Sequence, residues 1–429
     1  MHDDGVREGE RDDVATGAGP AAGGAAGGGL GAKLTTWWRR LRTGSGEPEP
    51  ERDDPPPWDL DRARSPRARR VRHFGGSIWF IALIAIAALL VVVMAAPRIM
   101  SPAKPGTLVV ASLPFWNLGN GTATVVANRD SVNEVSPWIY GLGDDGAITH
   151  QFPPERTAEV SEQVGKLRDA GVPVVASLAN ITDGRWAYAP VAKVLHDPRL
   201  RERHVREIVE LVEREDYAGI DIDYENLRSG DREVFSAFVT ELGAALHAER
   251  KTLSVAVFAK ASDAGYDERN VAQDFAAIGR AADQVRLMGY DFHWGTSPPG
   301  PVAPIGWVRD VVQYAKTQIP PERIVLGVPL YGYDWVGNQG ANVTWLQAFQ
   351  LATQHRAETH YDPVSQTPWF RYTDERGREH EVWFENSVSS KAKFEVARGS
   401  GIRGVYLWMY GYEDTATWNR VAESLPVDE

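Results

Sequence analysis

The sequence predicts an α/β chain built on a (β/α)8 barrel of the TIM type. From residue 108 onward, short runs rich in β-branched residues alternate eight times with amphipathic helical stretches. Several of these runs are apolar throughout, which is typical of parallel strands buried on both faces. The strands are predicted at residues 108–113, 134–140, 173–178, 219–223, 253–257, 284–288, 324–328 and 404–407.

Helical patterns lie between these runs and complete the alternation. They are predicted at residues 155–170, 197–215, 231–248, 271–282, 305–318 and 388–400. In a barrel of this kind, functional side chains belong at the carboxyl ends of the strands. Those strand ends are therefore the places to search for chemistry.

The connection between the seventh and eighth strands is too long for one helix, since about 75 residues separate them. We predict a small α+β insertion over residues 333–386. Residues 369–373 and 381–384 read as a β-hairpin around a turn that contains glycine. The Trp and Tyr side chains of the insertion either line one wall of a cleft, where they would suit stacking on sugars, or fill its core.

Residues 1–72 are predicted to be a disordered tail. Gly, Ala, Pro and charged residues dominate this segment, and large apolar side chains are few. Such a composition buries too little apolar surface to offset the entropy of ordering the chain.

Residues 78–96 are nineteen consecutive residues without a charge. At a rise of about 1.5 Å per residue they are close to the ~30 Å needed to cross a bilayer, so we predict a transmembrane helix within residues 73–100. A short linker, residues 101–107, would follow. A cleaved signal peptide is the alternative, but a hydrophilic lead of this length is unusual for one.

Basic residues are distributed unevenly around this apolar segment. Six arginines lie within residues 62–72, whereas only Arg98 and Lys104 follow the segment closely. By the positive-inside rule the tail is cytoplasmic, and residues 108–429 form an extracellular domain on a single-pass anchor in the cell membrane.

The net charge of the chain, −12, belongs to the part after the tail, because residues 1–72 carry as many basic as acidic side chains. An acidic domain argues against nucleic acid as a partner, since phosphate binding requires a basic face. The sequence has no cysteine, so packing rather than disulfides must stabilise the domain.

The fourth predicted strand carries the most informative motif, an alternation of acidic and apolar residues. Asp221, Asp223 and Glu225 occupy every second position, which directs the three carboxyl groups to one face of a strand. The apolar residues between them face the helices. The acidic face is therefore the barrel interior and its mouth.

Three ionised carboxylates in such a place would repel one another strongly, so at least one is expected to stay protonated at neutral pH. Glu225, at the strand tip, is placed to act as a general acid. A solvated strand end and a cation site are the alternatives. The flanking isoleucines disfavour the first, and the lack of nearby histidine disfavours the second. We expect neither a metal nor a cofactor.

These residues resemble glycoside hydrolase family 18, whose signature is D-x-x-D-x-D-x-E. Asp221, Asp223 and Glu225 match its last three acids, and Ala218 stands where the first Asp is usual. Two weaker motifs of the family are also present, in the family's order and at the corresponding strand ends. They are M-x-Y-D, present as Met288-Gly289-Tyr290-Asp291, and an aromatic residue at the end of the eighth strand, Trp408.

Longer phrases resemble one branch of that family, the bacterial spore-cortex and cell-wall lytic N-acetylglucosaminidases. They are residues 303–308 (APIGWV), 327–335 (GVPLYGYDW) and 369–385 (WFRYTDERGREHEVWFE). The LysM wall-binding modules that often accompany this branch are not found in the sequence.

The resemblance implies a role for each site residue. Glu225 would protonate the leaving oxygen, and Asp223 would accept a hydrogen bond from the substrate's acetamide N–H. Asp221 would share a proton with Asp223. Tyr290 would donate to the acetamide carbonyl, and Trp408 would stack beneath the sugar.

Three further residues are expected to bind substrate. Asp291 either contacts substrate or caps a loop. Trp116, beyond the first strand, and Trp294, beyond the sixth, are expected to line the cleft.

The expected partner is an N-acetylated polysaccharide, and the expected reaction is hydrolysis of peptidoglycan at N-acetylglucosamine close to the membrane. A chitinase or endo-β-N-acetylglucosaminidase acting on other glycans is the first alternative. A barrel that binds glycan without cleaving it is the second, although the complete acidic set argues against it.

Overall fold

In the computed structural model, residues 107–263 and 267–425 are described, and they contain the predicted barrel. Its strands are β1 (Leu108–Pro114), β2 (Glu134–Leu142), β3 (Val175–Ala179), β4 (Gly219–Asp223), β5 (Thr252–Phe258), β6 (Gln284–Met288), β7 (Ile324–Pro329) and β8 (Gly404–Trp408). Each strand pairs in parallel with the next, and β8 pairs with β1 to close the ring. The eight-strand prediction is confirmed to within two residues at every strand end.

Helices surround the barrel and connect its strands. They span Leu118–Ala127, Thr157–Asp169, Tyr188–His196, Pro198–Arg214, Arg232–Ala248, Glu268–Ala272, Phe275–Ala281, Ile305–Lys316, Ser387–Ser400 and Thr417–Ser424. All six predicted helices are present, although the one predicted at 271–282 is divided into two. The helices at Leu118–Ala127, Tyr188–His196 and Thr417–Ser424 were not predicted.

The helix ends follow from local side-chain chemistry. The Asp197 carboxylate accepts hydrogen bonds from the backbone N–H groups of Arg199 and Leu200, and Pro198 occupies the first helical position. Asn386 caps the helix Ser387–Ser400 in the same way, and that helix ends at Gly401 with a φ of 65°.

The main apolar core lies between the strands and the helices. In β4 and just beyond it, Ile220, Ile222 and Tyr224 are fully buried, and they belong to the same cluster as Phe235 and Phe238 of the helix Arg232–Ala248. The alternate face of β4 carries the acidic residues. The predicted division of β4 into an apolar outer face and an acidic inner face is therefore present.

An insertion follows β7 and consists of a five-stranded antiparallel sheet and one helix. Its strands are Tyr331–Val336, Gln339–Thr344, His360–Asp362, Thr367–Thr373 and Glu379–Phe384, and the helix Trp345–His355 joins the second to the third. The predicted hairpin is present, with Trp369 opposite Trp383. Gly332, near the entry to the insertion, pairs with Phe384 at its exit.

The predicted tail (1–72) and transmembrane helix (78–96) lie outside the described residues, as does almost all of the predicted linker. Within 107–263 and 267–425, the helices are all too short or too polar to cross a bilayer.

Candidate active site

Asp221 lies deepest of the three acids and is surrounded by hydrogen-bond donors. It is in register with Ser177 of β3 and Ser254 of β5. Its carboxylate accepts hydrogen bonds from Ser177 Oγ at 2.9 Å and Ser254 Oγ at 2.6 Å. Arg286 Nη1 is 3.1 Å from its Oδ2 atom. Asp221 is thus buried and fixed in the barrel floor.

Asp223, at the end of β4, has one oxygen held and one without a partner. Trp138 Nε1 donates to Oδ2 at 3.0 Å. Oδ1 is buried and accepts no hydrogen bond from any described residue. Burial, and next the charge of Asp221, raise the pKa of Asp223 to about 7, while the bond from Trp138 and the charge of Arg286 oppose the rise. An unsatisfied buried acceptor here is suited to a donor on a ligand.

Glu225 follows β4 and is 7% exposed. Asn180 holds its backbone in both directions: Glu225 N donates to Asn180 Oδ1 at 2.7 Å, and Asn180 Nδ2 donates to Glu225 O at 2.8 Å. Burial, and next the charge of Asp223, raise the pKa of Glu225 well above its ordinary value. These shifts agree with the expectation that a carboxyl group of the motif stays protonated at neutral pH.

Tyr290, after β6, lies beside the acids. Its hydroxyl is 2.7 Å from that of Tyr406 in β8, and Asp223 is among the charges that act on it. Burial raises the pKa of Tyr290 well above its usual range. The phenol therefore stays neutral and able to donate a hydrogen bond.

Asp291 adopts a left-handed backbone conformation with a φ of 57°. Its Oδ1 accepts hydrogen bonds from Tyr331 at 2.6 Å and Tyr333 at 3.2 Å. Burial raises the pKa of Asp291 to about 6, and both tyrosines oppose the rise. Its charge also contributes to the raised pKa of Glu225 and to that of Tyr290.

A group of tryptophans borders the acids, with Trp138 at its centre. Its ring lies edge-on to those of Trp408, Trp116 and Trp186, with centroids 5.9, 5.8 and 6.1 Å away. Trp408 packs against three separate apolar clusters, which fixes its ring at the mouth of the barrel. Trp116 also donates a hydrogen bond from Nε1 to Tyr412 Oη at 3.1 Å.

Trp294 is placed differently from the other predicted residues. It is 37% exposed, and its indole N–H donates to Thr296 in the same loop at 2.8 Å. Its backbone carbonyl accepts a hydrogen bond from Trp335 of the insertion. The other seven predicted residues are linked by contacts or charges around Asp223, whereas Trp294 lies on the loop that meets the insertion.

Four residues of this site were missed by the sequence reasoning: Trp138, Asn180, Arg286 and Tyr406. Trp138 and Arg286 stand inside apolar strands, where no local pattern distinguishes an inward side chain from an outward one. Asn180 directly follows β3. Because functional side chains lie at the carboxyl ends of barrel strands, its position could have identified it as a candidate. Within the described ranges, no cluster of His, Cys, Asp or Glu is arranged to hold a metal ion.

Comparisons with known proteins identify relatives of this chain. The chain is 37% identical over 309 residues to the cortical fragment-lytic enzyme of Bacillus subtilis, covering 70% of this chain and 71% of the relative. The spore cortex-lytic enzyme SleL of Bacillus megaterium has a similar structure, with a TM-score of 0.68, 28% identity and coverage of 76% of this chain and 75% of that one.

A chitinase of Chromobacterium violaceum is also similar in structure, with a TM-score of 0.69 and 29% identity. The match covers 74% of this chain and 99% of the chitinase. The sequence profile of glycosyl hydrolases family 18 matches residues 108–413. The chain therefore belongs to glycosyl hydrolases family 18 and is an enzyme that hydrolyses glycosidic bonds.

Proposed function

We propose that the enzyme cleaves β-1,4 linkages at N-acetylglucosamine in peptidoglycan by a retaining, substrate-assisted reaction. The observation that carries this proposal is Asp223 Oδ1, a buried acceptor without a partner among the described residues. Glu225 lies beside it with its pKa raised well above the ordinary value. A sugar with an N-acetyl group supplies the missing donor through its amide N–H.

In the first step, Glu225 gives its proton to the glycosidic oxygen as the bond to the leaving sugar breaks. The acetamido oxygen of the retained sugar attacks the anomeric carbon from the opposite face and forms an oxazolinium ion. Asp223 accepts the hydrogen bond from the acetamide N–H and stabilises the positive charge that develops there.

In the second step, water attacks the anomeric carbon and reopens the oxazolinium ring, and Glu225 takes up the proton that the water loses. The sugar thereby keeps its β configuration. Tyr290 supports both steps by donating to the acetamide oxygen, while the ring of Trp408 lies under the apolar face of the sugar.

The choice of peptidoglycan rests on the cortex-lytic relatives. Chitin is the second candidate, because the chitinase of Chromobacterium violaceum is matched over 99% of its length. Both substrates present the same N-acetyl group to Asp223. They differ in the lactyl ether and peptide stem that peptidoglycan carries on alternate sugars.

We further propose that the barrel acts outside the cell close to the membrane. The apolar segment 78–96 and the arginines before it support this location. Residues 97–107 reach at most about 40 Å when extended, so a substrate of the anchored barrel must approach the outer leaflet. Accessibility of the barrel to added protease in intact cells, and its loss from the membrane fraction when 78–96 are deleted, would test this part.

The reaction is tested by incubating the full chain with purified cell walls and, separately, with chitin oligomers. We expect faster release of reducing ends terminating in N-acetylglucosamine from walls, with the β anomer appearing first in proton NMR spectra. Faster cleavage of chitin oligomers would favour the second candidate. Initial formation of the α anomer would contradict the retaining mechanism.

A further inference from the structure

The floor of the barrel holds a buried guanidinium group to which the reaction outlined above assigns no role. Arg286 of β6 is 1% exposed, and it lies on the inside of the ring beneath Asp223. Its Nη1 atom is 3.1 Å from Asp221 and donates to Ser136 Oγ at 2.7 Å. A buried charge of this kind is costly unless it is paired.

Glu134, the first residue of β2, completes the pairing. Arg286 Nη2 donates to Glu134 Oε1 at 2.7 Å, and Gln284 Nε2 donates to Oε2 at 2.7 Å. Burial raises the pKa of Glu134, and the charge of Arg286 opposes that rise. The guanidinium is therefore held between the carboxylates of Glu134 and Asp221.

From this geometry we propose that Arg286 is a positioning residue. It fixes Asp221 in the floor through a buried ion pair, and the opposite charges of the two groups together set the pH at which Asp223 loses its proton and becomes the acceptor that the reaction requires. This inference rests on the proposed roles of Asp223 and Glu225.

The hydrogen bonds of Asp221 support the proposal. Both serine hydroxyls next to it donate to its oxygens, and Arg286 provides a third donor, so the surroundings match a carboxylate. Because Asp223 is next in the motif, the negative charge on Asp221 raises the pKa of Asp223, and the positive charge of Arg286 lowers it. The balance between them determines at which pH Asp223 ionises.

The arrangement also bears on Ala218, where the family signature usually has an acid. Within the described barrel, four charged or titratable groups interact electrostatically in the surroundings of Asp221. They are Glu134 of β2, Asp223 of β4, Arg286 of β6 and Tyr406 of β8. Glu134 supplies a further carboxylate in the floor from a different strand.

The test compares pH profiles of kcat/KM on a chromogenic N-acetylated chitobioside. Arg286→Met removes the positive charge next to Asp221, so the acid limb should move to higher pH by about one unit. Glu134→Gln leaves the guanidinium with Asp221 as its one carboxylate partner, and the limb should move to lower pH.

Arg286→Met alone leaves Glu134 buried without its cation, which can prevent folding. The double variant Glu134→Gln/Arg286→Met avoids this, because it removes both charges, and its acid limb should still lie above that of the wild type. The matched control is the double variant Glu385→Gln/Lys393→Met. It also removes a fully buried ion pair, with 2.8 Å between Lys393 Nζ and Glu385 Oε2. Neither of these charges is among those that act on Asp223 or Glu225. Its pH limbs should not move.

A second readout does not depend on turnover. Carboxyl ¹³C NMR of aspartate-labelled full-length protein should show the Asp223 titration near pH 7 in the wild type and at higher pH in the double variant. If turnover is absent but this shift occurs, the proposed function fails and the role of Arg286 stands. A folded double variant with wild-type titration and wild-type limbs would overturn the inference, as would an equal shift in the control.

Discussion

Asn180 and Glu225 form a reciprocal pair of hydrogen bonds in which one side-chain amide holds both polar groups of the other residue's backbone. The two distances are 2.7 and 2.8 Å, and Asn180 is completely buried. Because Glu225 lies beyond the last residue of β4, the sheet itself no longer fixes its position. Asn180 therefore determines where the proposed proton donor stands.

The first prediction is that Asn180→Ala lowers kcat by roughly 10²-fold, since a displacement of about 1 Å is enough for such a loss. KM should change less than about threefold. Asn133 is a matched control, because its amide also binds two backbone groups, Val109 N and Thr107 O, at the opposite end of the barrel. Steady-state kinetics should show normal kcat for Asn133→Ala, and an equal loss there would contradict the prediction.

Glu225→Gln should remove turnover while leaving sugar binding nearly intact, because the amide keeps the shape of the side chain but cannot deliver a proton. We expect kcat to fall by about 10²- to 10⁴-fold. Calorimetric titration with N-acetylated oligosaccharides would measure binding separately. Glu233→Gln, on an exposed helical position, is the control. Near-normal rates for Glu225→Gln on a substrate with a poor leaving group would exclude Glu225 as the acid.

Asp223→Asn should stabilise the folded protein at high pH while it impairs catalysis. The pKa of Asp223 is about 7 when folded, against an ordinary value of 3.8. Between these values the unfolded chain releases the proton and the folded chain keeps it, so the free energy of unfolding falls as pH rises through this window. Asparagine removes this dependence.

Thermal unfolding at pH 5 and pH 8 would measure that effect. The gain in Tm of Asp223→Asn over the wild type should be larger at pH 8. The exposed Asp310→Asn variant should show the same difference from the wild type at both pH values. Equal Tm differences for Asp223→Asn at the two pH values would show that Asp223 is not protonated in the folded enzyme at neutral pH.

Trp138→Phe should move the acid limb of kcat/KM to higher pH. The indole N–H lowers the pKa of Asp223, so its loss lets that pKa rise further. Trp186→Phe is the control, since Trp186 Nε1 is buried and makes no hydrogen bond within the described residues. Both variants lose an indole from the same group of rings. If the acid limb shifted equally in both variants, the shift would come from altered packing and not from the lost hydrogen bond.

Trp408→Ala should reduce kcat/KM by about 10- to 100-fold through the loss of stacking under the sugar. Trp294→Ala tests whether the exposed ring in the loop after β6 binds substrate. From its position beside the insertion, we expect a change in KM below about tenfold and an unchanged kcat. Kinetics on cell-wall fragments of increasing length would reveal whether Trp294 contacts only longer chains.

The barrel could be predicted from the sequence because parallel strands buried on both faces appear as apolar runs of limited length. The helix Leu118–Ala127 could not, since its two glycines and two threonines weaken the amphipathic pattern. Thr417–Ser424 is only eight residues long, which is too short for periodicity to be decisive.

The acids of β4 were recognised because they lie close together in one strand. Arg286 and Glu134 were not, since 152 positions separate them and only the closed ring brings β2 opposite β6. Trp138 lies 85 positions from the aspartate that it holds. Local spacing can thus reveal which strand carries the chemistry, whereas the partners that tune its protons depend on closure of the sheet.

The insertion enters and leaves the barrel at neighbouring positions, as the pairing of Gly332 with Phe384 shows. A segment whose two ends already meet can be exchanged for a longer or shorter one at little entropic cost to its host. Evolution could therefore have altered which polymers reach Glu225 by replacing this unit alone. The same junction offers protein engineers a place to graft the corresponding unit of a chitinase.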